Sequence, residues 1–106
     1  MSGQDGEQAA LNRVALGTQT VDVWKDARAL GTAAGEAAVA LCGNADPSAV
    51  SGASSFTTPG GNDVSAIFLE PIPITQDNLD VVVDAGWIST DDLCAGVDAG
   101  SVAACP

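Results

Sequence analysis

The chain has 106 residues, which is enough for at most one small domain, and carries fourteen acids against three bases, a net charge of −11. This charge argues against binding to nucleic acid or to an anionic membrane surface, because almost no cations are available to neutralise phosphates. The sequence contains no histidine, which excludes histidine-based acid–base catalysis and histidine metal ligands.

The N-terminal residues predict the end of a strand, a turn and a helix. Asp5 lies in the turn and can cap the helix, in which Leu11, Val14 and Ala15 form one apolar stripe. A second strand is predicted over residues 18–24, where side chains alternate between two faces.

Lys25 follows this second strand and is the one lysine of the chain. A second helix is predicted to begin near Asp26 and to end before Gly43. Cys42 lies at the apolar end of this helix, so we expect it to be buried as a small hydrophobic residue. The predicted stripe of this helix consists of Ala27, Leu30, Ala34, Ala37 and Leu41.

The remaining elements continue the alternation of strand and helix. Residues 44–62 are expected to form a long loop, and residues 64–69 an apolar strand covered on both faces. Thr75 is expected to cap a third helix over residues 76–84, and Ser89 or Thr90 a last helical turn. This order predicts an α/β fold with a mainly parallel sheet flanked by helices.

Asp5 and Lys25 are the candidate binding residues. Both are predicted just past a strand, and open sheets of this class bind ligands at the carboxyl ends of their strands. An acceptor and a donor placed together suit a ligand with several hydroxyl groups. The alternative interpretation is structural, with Asp5 as a helix cap and Lys25 in a salt bridge between domains.

The three cysteines cannot all pair with one another. A bridge between Cys94 and Cys105 would stabilise the C-terminal segment by roughly 3 kcal/mol, provided that the protein matures in an oxidising compartment. No histidine is present to lower a thiol pKa, and the acids do not follow the spacing of a calcium loop. We therefore expect no catalytic residue, no metal site and no cofactor, and no enzyme activity.

Several blocks of sequence, taken together, resemble the C-terminal part of the D-xylose-binding proteins, which are the substrate-binding components of bacterial ABC sugar transporters of the ribose- and galactose-binding class. The match runs over nearly the whole chain. The blocks are Ser2-Gly-Gln-Asp-Gly6, Gly17-Thr-Gln-Thr-Val-Asp-Val-Trp-Lys-Asp-Ala-Arg28, Phe56-Thr-Thr-Pro-Gly-Gly-Asn62, Phe68-Leu-Glu-Pro-Ile-Pro-Ile-Thr-Gln-Asp-Asn-Leu79 and Asp84-Ala-Gly-Trp87.

The resemblance implies part of a type I periplasmic-binding-protein fold, in which two α/β lobes joined by three crossing strands enclose the sugar. It implies that Asp5 and Lys25 hydrogen-bond the sugar, while Trp24 and Trp87 pack in the interior. Residues 1–25 and about 67–106 would come from one lobe, and residues from about 26 to 64 from the other. The implied partners are a pentose and, for a full-length member, an ABC transporter permease.

Length separates this chain from the family, whose members are roughly three times as long. We therefore expect a truncated gene product or fragment, incomplete as a fold, whose sugar binding is weak or absent. We also expect it either to pair with another copy or a partner, or to be poorly stable alone. A full-length member would be periplasmic or extracellular, but the first residues here carry no secretory signal pattern. The alternative from another class is a small acidic α/β partner or sensor subunit that acts by protein association.

Overall fold

The computed structural model describes residues 1–106, which divide into two compact units. Unit 1 consists of Met1–Asp26 and Pro71–Pro106, and unit 2 of Ala27–Glu70. The prediction that these segments come from different lobes stays a prediction. The elements in chain order are β1 (Ser2–Gln4), α1 (Gln8–Ala15), β2 (Val21–Trp24), α2 (Ala27–Cys42), a 3₁₀ turn (Pro47–Ala49), β3 (Ala53–Thr57), β4 (Asp63–Ile67), β5 (Ile72–Ile74), α3 (Asp80–Asp84) and α4 (Thr90–Leu93).

Unit 1 contains a three-stranded sheet in the order β1-β2-β5. β1 runs parallel to β2, with Gln4 opposite Val23, whereas β5 runs antiparallel to β2, with Pro73 opposite Val23. The α/β class is confirmed, but the sheet is mixed where a mainly parallel one was expected. Pro73 cannot donate to a ladder, which is consistent with the edge position of β5, but sequence pattern does not determine strand direction.

The core of unit 1 is built on α1, and its predicted stripe of Leu11, Val14 and Ala15 is buried. The rest of the core comes from the sheet and from the C-terminal segment. Cys94 and Cys105 are joined by a disulfide, and Cys105 is itself part of the core. The other core residues are Trp24, Ile74, Leu79, Val82, Ile88, Leu93 and Val102.

Two elements of unit 1 begin later than predicted. β2 begins at Val21 because the N–H groups of residues 18 and 19 donate to the carbonyl oxygen of Arg13 at the end of α1. α3 begins at Asp80 because the side chain of Asn78 accepts from the N–H of Thr75 at 2.8 Å and forms a separate turn. The last helical turn, α4, is capped by Ser89 as expected, since its side chain accepts from the N–H of Asp92.

Unit 2 consists of α2, the 3₁₀ turn and an antiparallel β3–β4 hairpin, in which Ala53 pairs with Ile67 and Thr57 with Asp63. The prediction of a loop over residues 44–62 was wrong, because β3 lies within this range. Its sequence contains two serines, which are more typical of a turn or loop than of a strand. The prediction that the following strand is covered on both faces was also wrong, since no residue between 27 and 70 is buried.

Cys42 is exposed, which contradicts its predicted burial. It lies at the end of α2, a helix that buries none of its residues. The apolar stripe of α2 is present in the sequence, but a two-stranded hairpin is too small to bury a sixteen-residue helix. None of the helices combines the length and the apolar character that crossing a membrane requires.

Candidate functional site

Asp5 and Lys25 form an ion pair, with 2.8 Å between Asp5 Oδ1 and Lys25 Nζ. Asp5 directly follows β1 and Lys25 directly follows β2. Because the two strands are parallel neighbours, their carboxyl ends lie at the same edge of the sheet. The structure therefore brings together the two residues that the sequence singled out.

Asp5 does not cap α1, which contradicts one part of the structural alternative. The residue before the helix is Glu7, and no side chain caps the helix there. The N–H of Asp5 instead donates to the carbonyl oxygen of Val23 at 2.8 Å, so β2 holds the backbone at the point where β1 ends. The carboxylate is then free to face Lys25.

The turn after β1 has two successive residues with left-handed backbone, Asp5 at φ +80° and Gly6 at φ +74°. Glycine adopts this conformation at little cost, whereas a residue with a Cβ adopts it less readily, aspartate and asparagine being the most tolerant. Non-glycine residues in this region persist where surrounding structure stabilises them, and they are enriched at ligand sites.

Asp22 supports this turn from within the protein. Its side chain is fully buried, and its Oδ2 accepts from the N–H of Gly6 at 2.8 Å. Its Oδ1 accepts from Nε2 of Gln19 at 3.3 Å. Asp22 is not among the site residues predicted from the sequence. The available signal was an acid in the middle of a predicted strand between two valines, since a buried charge requires hydrogen-bond donors.

Trp24 and Trp87 lie beneath the turn, with ring centroids 5.6 Å apart and an interplanar angle of 60°. Trp87 Nε1 donates to the carbonyl oxygen of Gly6 at 2.6 Å. A Cβ on Gly6 would lie 2.3 Å from Cδ1 of Trp24, so the turn packs directly against this indole. Trp24 is buried, as expected of a packing residue, and its Nε1 has no hydrogen-bond partner.

The Asp5–Lys25 pair is accessible to a ligand. The side chain of Asp5 is 64% exposed and that of Lys25 is 44% exposed. An exposed ion pair of this kind contributes about 0–1 kcal/mol, so a hydroxyl group can insert between the two charges at small cost. The pair offers one acceptor and one donor, and no group of three or more His, Cys, Asp or Glu side chains could hold a metal ion.

No family model matches the chain. The chain is 34% identical over 94 residues to the D-xylose-binding periplasmic protein of Escherichia coli (strain K12), an alignment that covers 88% of this chain and 27% of that protein. It also resembles the solved structure of a carbohydrate transporter solute binding protein from Chloroflexus aurantiacus in complex with D-glucose. That comparison gives a TM-score of 0.74 and 35% identity over 86% of this chain and 26% of the other.

A second solved structure, an ABC transporter solute binding protein from Clostridium phytofermentans with bound β-D-glucose, has a TM-score of 0.67 and 22% identity. This comparison covers 87% of this chain and 28% of the other. At this level of identity the second structure supports only the assignment of the fold. The chain thus spans about a quarter of the length of each relative.

The fold therefore defines the class: the chain has the α/β fold of part of a periplasmic sugar-binding protein of type I. The particular resemblance predicted from the sequence, to the D-xylose-binding periplasmic proteins, is confirmed over most of the chain. The relatives are binding and transport proteins, which agrees with the expectation that this chain is not an enzyme.

Proposed function

We propose that the chain is the C-terminal part of the sugar-binding component of an ABC transporter, and that Asp5 and Lys25 hydrogen-bond a pentose, D-xylose. The observation that carries this proposal is the ion pair of 2.8 Å at the shared carboxyl edge of β1 and β2. The similarity to a protein named for D-xylose supports a monosaccharide ligand and favours a pentose.

The chemistry of the pair suits a sugar hydroxyl. The carboxylate of Asp5 accepts from a hydroxyl group, and the ammonium of Lys25 donates to the oxygen of the same or a neighbouring hydroxyl. Each bond is charge-assisted and stronger than a neutral one, while the two charges compensate one another. Two contacts replace only part of a sugar's hydration, so we expect the isolated chain to bind D-xylose with a Kd of about 1 mM or weaker.

The whole protein would work in the periplasm or outside the cell and would deliver its sugar to an ABC permease. The similarity to a periplasmic binding protein and to a solute binding protein supports this assignment. Within it, unit 1 and unit 2 would be portions of different lobes.

A titration followed by the amide resonances of the labelled chain tests the sugar proposal. D-xylose should shift the resonances of Asp5, Gly6 and Lys25 saturably, and the Asp5→Asn and Lys25→Met variants should each weaken binding several-fold. Asp98→Asn is the matched control, because Asp98 is an exposed acid of the same unit. Micromolar binding by the isolated chain would contradict the two-contact argument. The absence of any shift of these three resonances at the highest soluble D-xylose concentration would refute the sugar site.

A second candidate, a small acidic subunit that acts by association, is favoured by one observation: unit 2 buries none of its residues. We expect the chain to self-associate or to be poorly stable alone. Sedimentation velocity over a range of concentrations would test this, and a monomer that unfolds cooperatively at every concentration would contradict it.

An in-frame remainder with a signal peptide upstream of Met1 would favour the transporter component. The exposed large apolar residues of unit 2 are Leu30, Val39, Leu41, Phe56, Val64, Phe68 and Leu69.

A further inference from the structure

The carboxylate of Asp22 is buried and is bonded to the turn that carries Asp5. A carboxylate with no solvent exposure is expensive unless donors surround it, and both oxygens here accept a hydrogen bond. One donor is the N–H of Gly6 and the other is Nε2 of Gln19. The first of these two groups belongs to the turn that carries Asp5.

Gln19 is itself held in one orientation. It is 2% exposed, and its Oε1 accepts from Nε of Arg13 at 3.2 Å. Its Nε2 donates to the carbonyl oxygen of Val21 at 3.1 Å as well as to Asp22. A side-chain amide has one acceptor end and one donor end, so the contact with Arg13 leaves the donor end directed at Asp22.

β1 approaches this buried pair closely. A Cβ at Gly3 would lie 2.5 Å from Oδ1 of Asp22 and 2.7 Å from Nε2 of Gln19. Any side chain at position 3 would therefore separate β1 from the pair. The absence of a side chain at Gly3 allows the strand that leads into the Asp5 turn to lie directly over the carboxylate.

We propose that Asp22 is a positioning residue for the sugar contact: through the N–H of Gly6 it stabilises the left-handed turn at Asp5 and Gly6, and so directs the Asp5 carboxylate towards Lys25 and the ligand. This inference rests on the function proposed above. The carboxylate of Asp22 has no access to solvent, so its effect on binding passes through the backbone of the turn.

The Asp22→Asn variant tests the proposal, because an amide has one acceptor oxygen where the carboxylate has two. The new NH2 group then faces a donor, either the N–H of Gly6 or Nε2 of Gln19, and in both cases the repulsion between two donors moves the side chain at position 22 and weakens its bond to Gly6. We expect hydrogen exchange of the Gly6 amide to accelerate by about tenfold, the change that one lost hydrogen bond to a charged group produces. The ¹³Cα and ¹³Cβ shifts of Asp5 should move towards extended backbone, and D-xylose affinity should fall about as much as in Asp5→Asn.

A double variant, Asp22→Asn with Gln19→Glu, should restore the three measurements in part, because Nε2 of Gln19 also donates to the carbonyl oxygen of Val21 and a glutamate at that position cannot. The glutamate side chain introduced at position 19 can accept both from Arg13 and from the new amide at position 22, which leaves the amide oxygen for the N–H of Gly6. Gln19→Ala removes one donor to Asp22 and leaves the charge of Asp22 in place. It should change the same measurements in the same direction as Asp22→Asn, but by a smaller amount. It serves as the test if Asp22→Asn does not fold.

Val82→Ala is the control for general destabilisation, because Val82 is fully buried in unit 1 and lies outside this hydrogen-bond network. It should lower stability without moving the Asp5 shifts. Unchanged Gly6 exchange and Asp5 shifts in Asp22→Asn, or equal changes in Val82→Ala, would overturn the positioning role. If the wild-type chain does not bind D-xylose, the sugar proposal fails, and the Gly6 and Asp5 measurements still decide whether Asp22 positions the turn.

Discussion

Trp87 Nε1 donates to the carbonyl oxygen of Gly6 at 2.6 Å, a bond between residues 81 positions apart. The N–H of the same glycine donates to Asp22, so both backbone polar groups of Gly6 are bound to side chains from other parts of unit 1. The turn that carries Asp5 is thus attached both to β2 and to the C-terminal segment. Changes at Gly6 should therefore affect the stability of the whole unit.

Gly6→Ala should destabilise unit 1 strongly. The new Cβ would lie 2.3 Å from Cδ1 of Trp24, on a residue whose φ is +74°. We expect about 1–2 kcal/mol from the left-handed backbone and about 1–3 kcal/mol more from the contact with the indole. Urea unfolding followed by tryptophan fluorescence measures the loss, since both tryptophans lie in unit 1.

Gly96→Ala is the matched control for this substitution. Gly96 has the same φ of +74°, but a Cβ there would meet no atom within 4 Å. This variant should show the backbone cost alone, about 1–2 kcal/mol. Equal losses of unfolding free energy in the two variants would mean that the contact with Trp24 does not limit the size of the residue at position 6.

Reduction of the disulfide should destabilise unit 1 without removing its fold. Cys94 and Cys105 enclose a short loop, and closing a loop of this size contributes about 3 kcal/mol in the chain-entropy model. The experiment compares urea unfolding with and without a reducing agent in a Cys42→Ser background. Cys42 is exposed and free, so its removal prevents thiol exchange. A midpoint that does not respond to reduction would contradict the prediction.

Asp46 should titrate below the ordinary range. The hydroxyl of Ser48 and then its N–H donate to the carboxylate and lower the pKa of Asp46 from 3.8. Because the folded pKa lies below the unfolded value, this interaction stabilises the 3₁₀ turn above the unfolded pKa and is lost as the pH falls through the folded pKa. A carboxyl ¹³C titration checks this, and Ser48→Ala should return the pKa towards 3.8. An unchanged pKa in that variant would exclude the hydroxyl of Ser48 as the main cause.

The candidate pair could be predicted from the sequence, because the end of a strand and a charged residue directly after it are both local features. Asp5 and Lys25 each lie next to a strand, and parallel pairing of those strands is what brings them together. Asp22 could not be assigned, because an acid in an alternating strand faces either solvent or the interior, and only the tertiary contacts with Gly6 and Gln19 distinguish the two.

Two errors in unit 2, the predicted burial of Cys42 and of the strand over residues 64–69, share one physical origin. An apolar stripe on a helix and an apolar run in a strand predict burial, but burial requires a second surface to cover them. α2 retains its helical period and β4 its strand, while neither has a buried residue. Local pattern therefore predicted the presence of α2 and β4 correctly but not their burial, nor that of Cys42.

The exposure of unit 2 predicts that α2 opens far more readily than α1. α1 buries Leu11 and Val14 completely, so its amides should exchange only with global unfolding of unit 1. α2 buries none of its sixteen residues, and a helix without tertiary support is marginal in water, so its amides should show opening free energies below about 1–2 kcal/mol. Hydrogen exchange measured at low and high protein concentration checks this. Equal protection of the two helices at low concentration would contradict it.

Two glycines within α2 allow a direct perturbation of this prediction. A Cβ at Gly31 or at Gly35 would meet no atom within 4 Å, so alanine fits at either position. Because glycine lowers helix stability by about 1 kcal/mol relative to alanine, the Gly31→Ala and Gly35→Ala variants should each slow exchange in α2 by about fivefold. Exchange in α1 should not change, since its core contacts lie within unit 1. If the substitutions accelerate exchange in α2, the two glycines are in contact with another surface in solution, and the exposed state of this helix is not the one that the chain adopts.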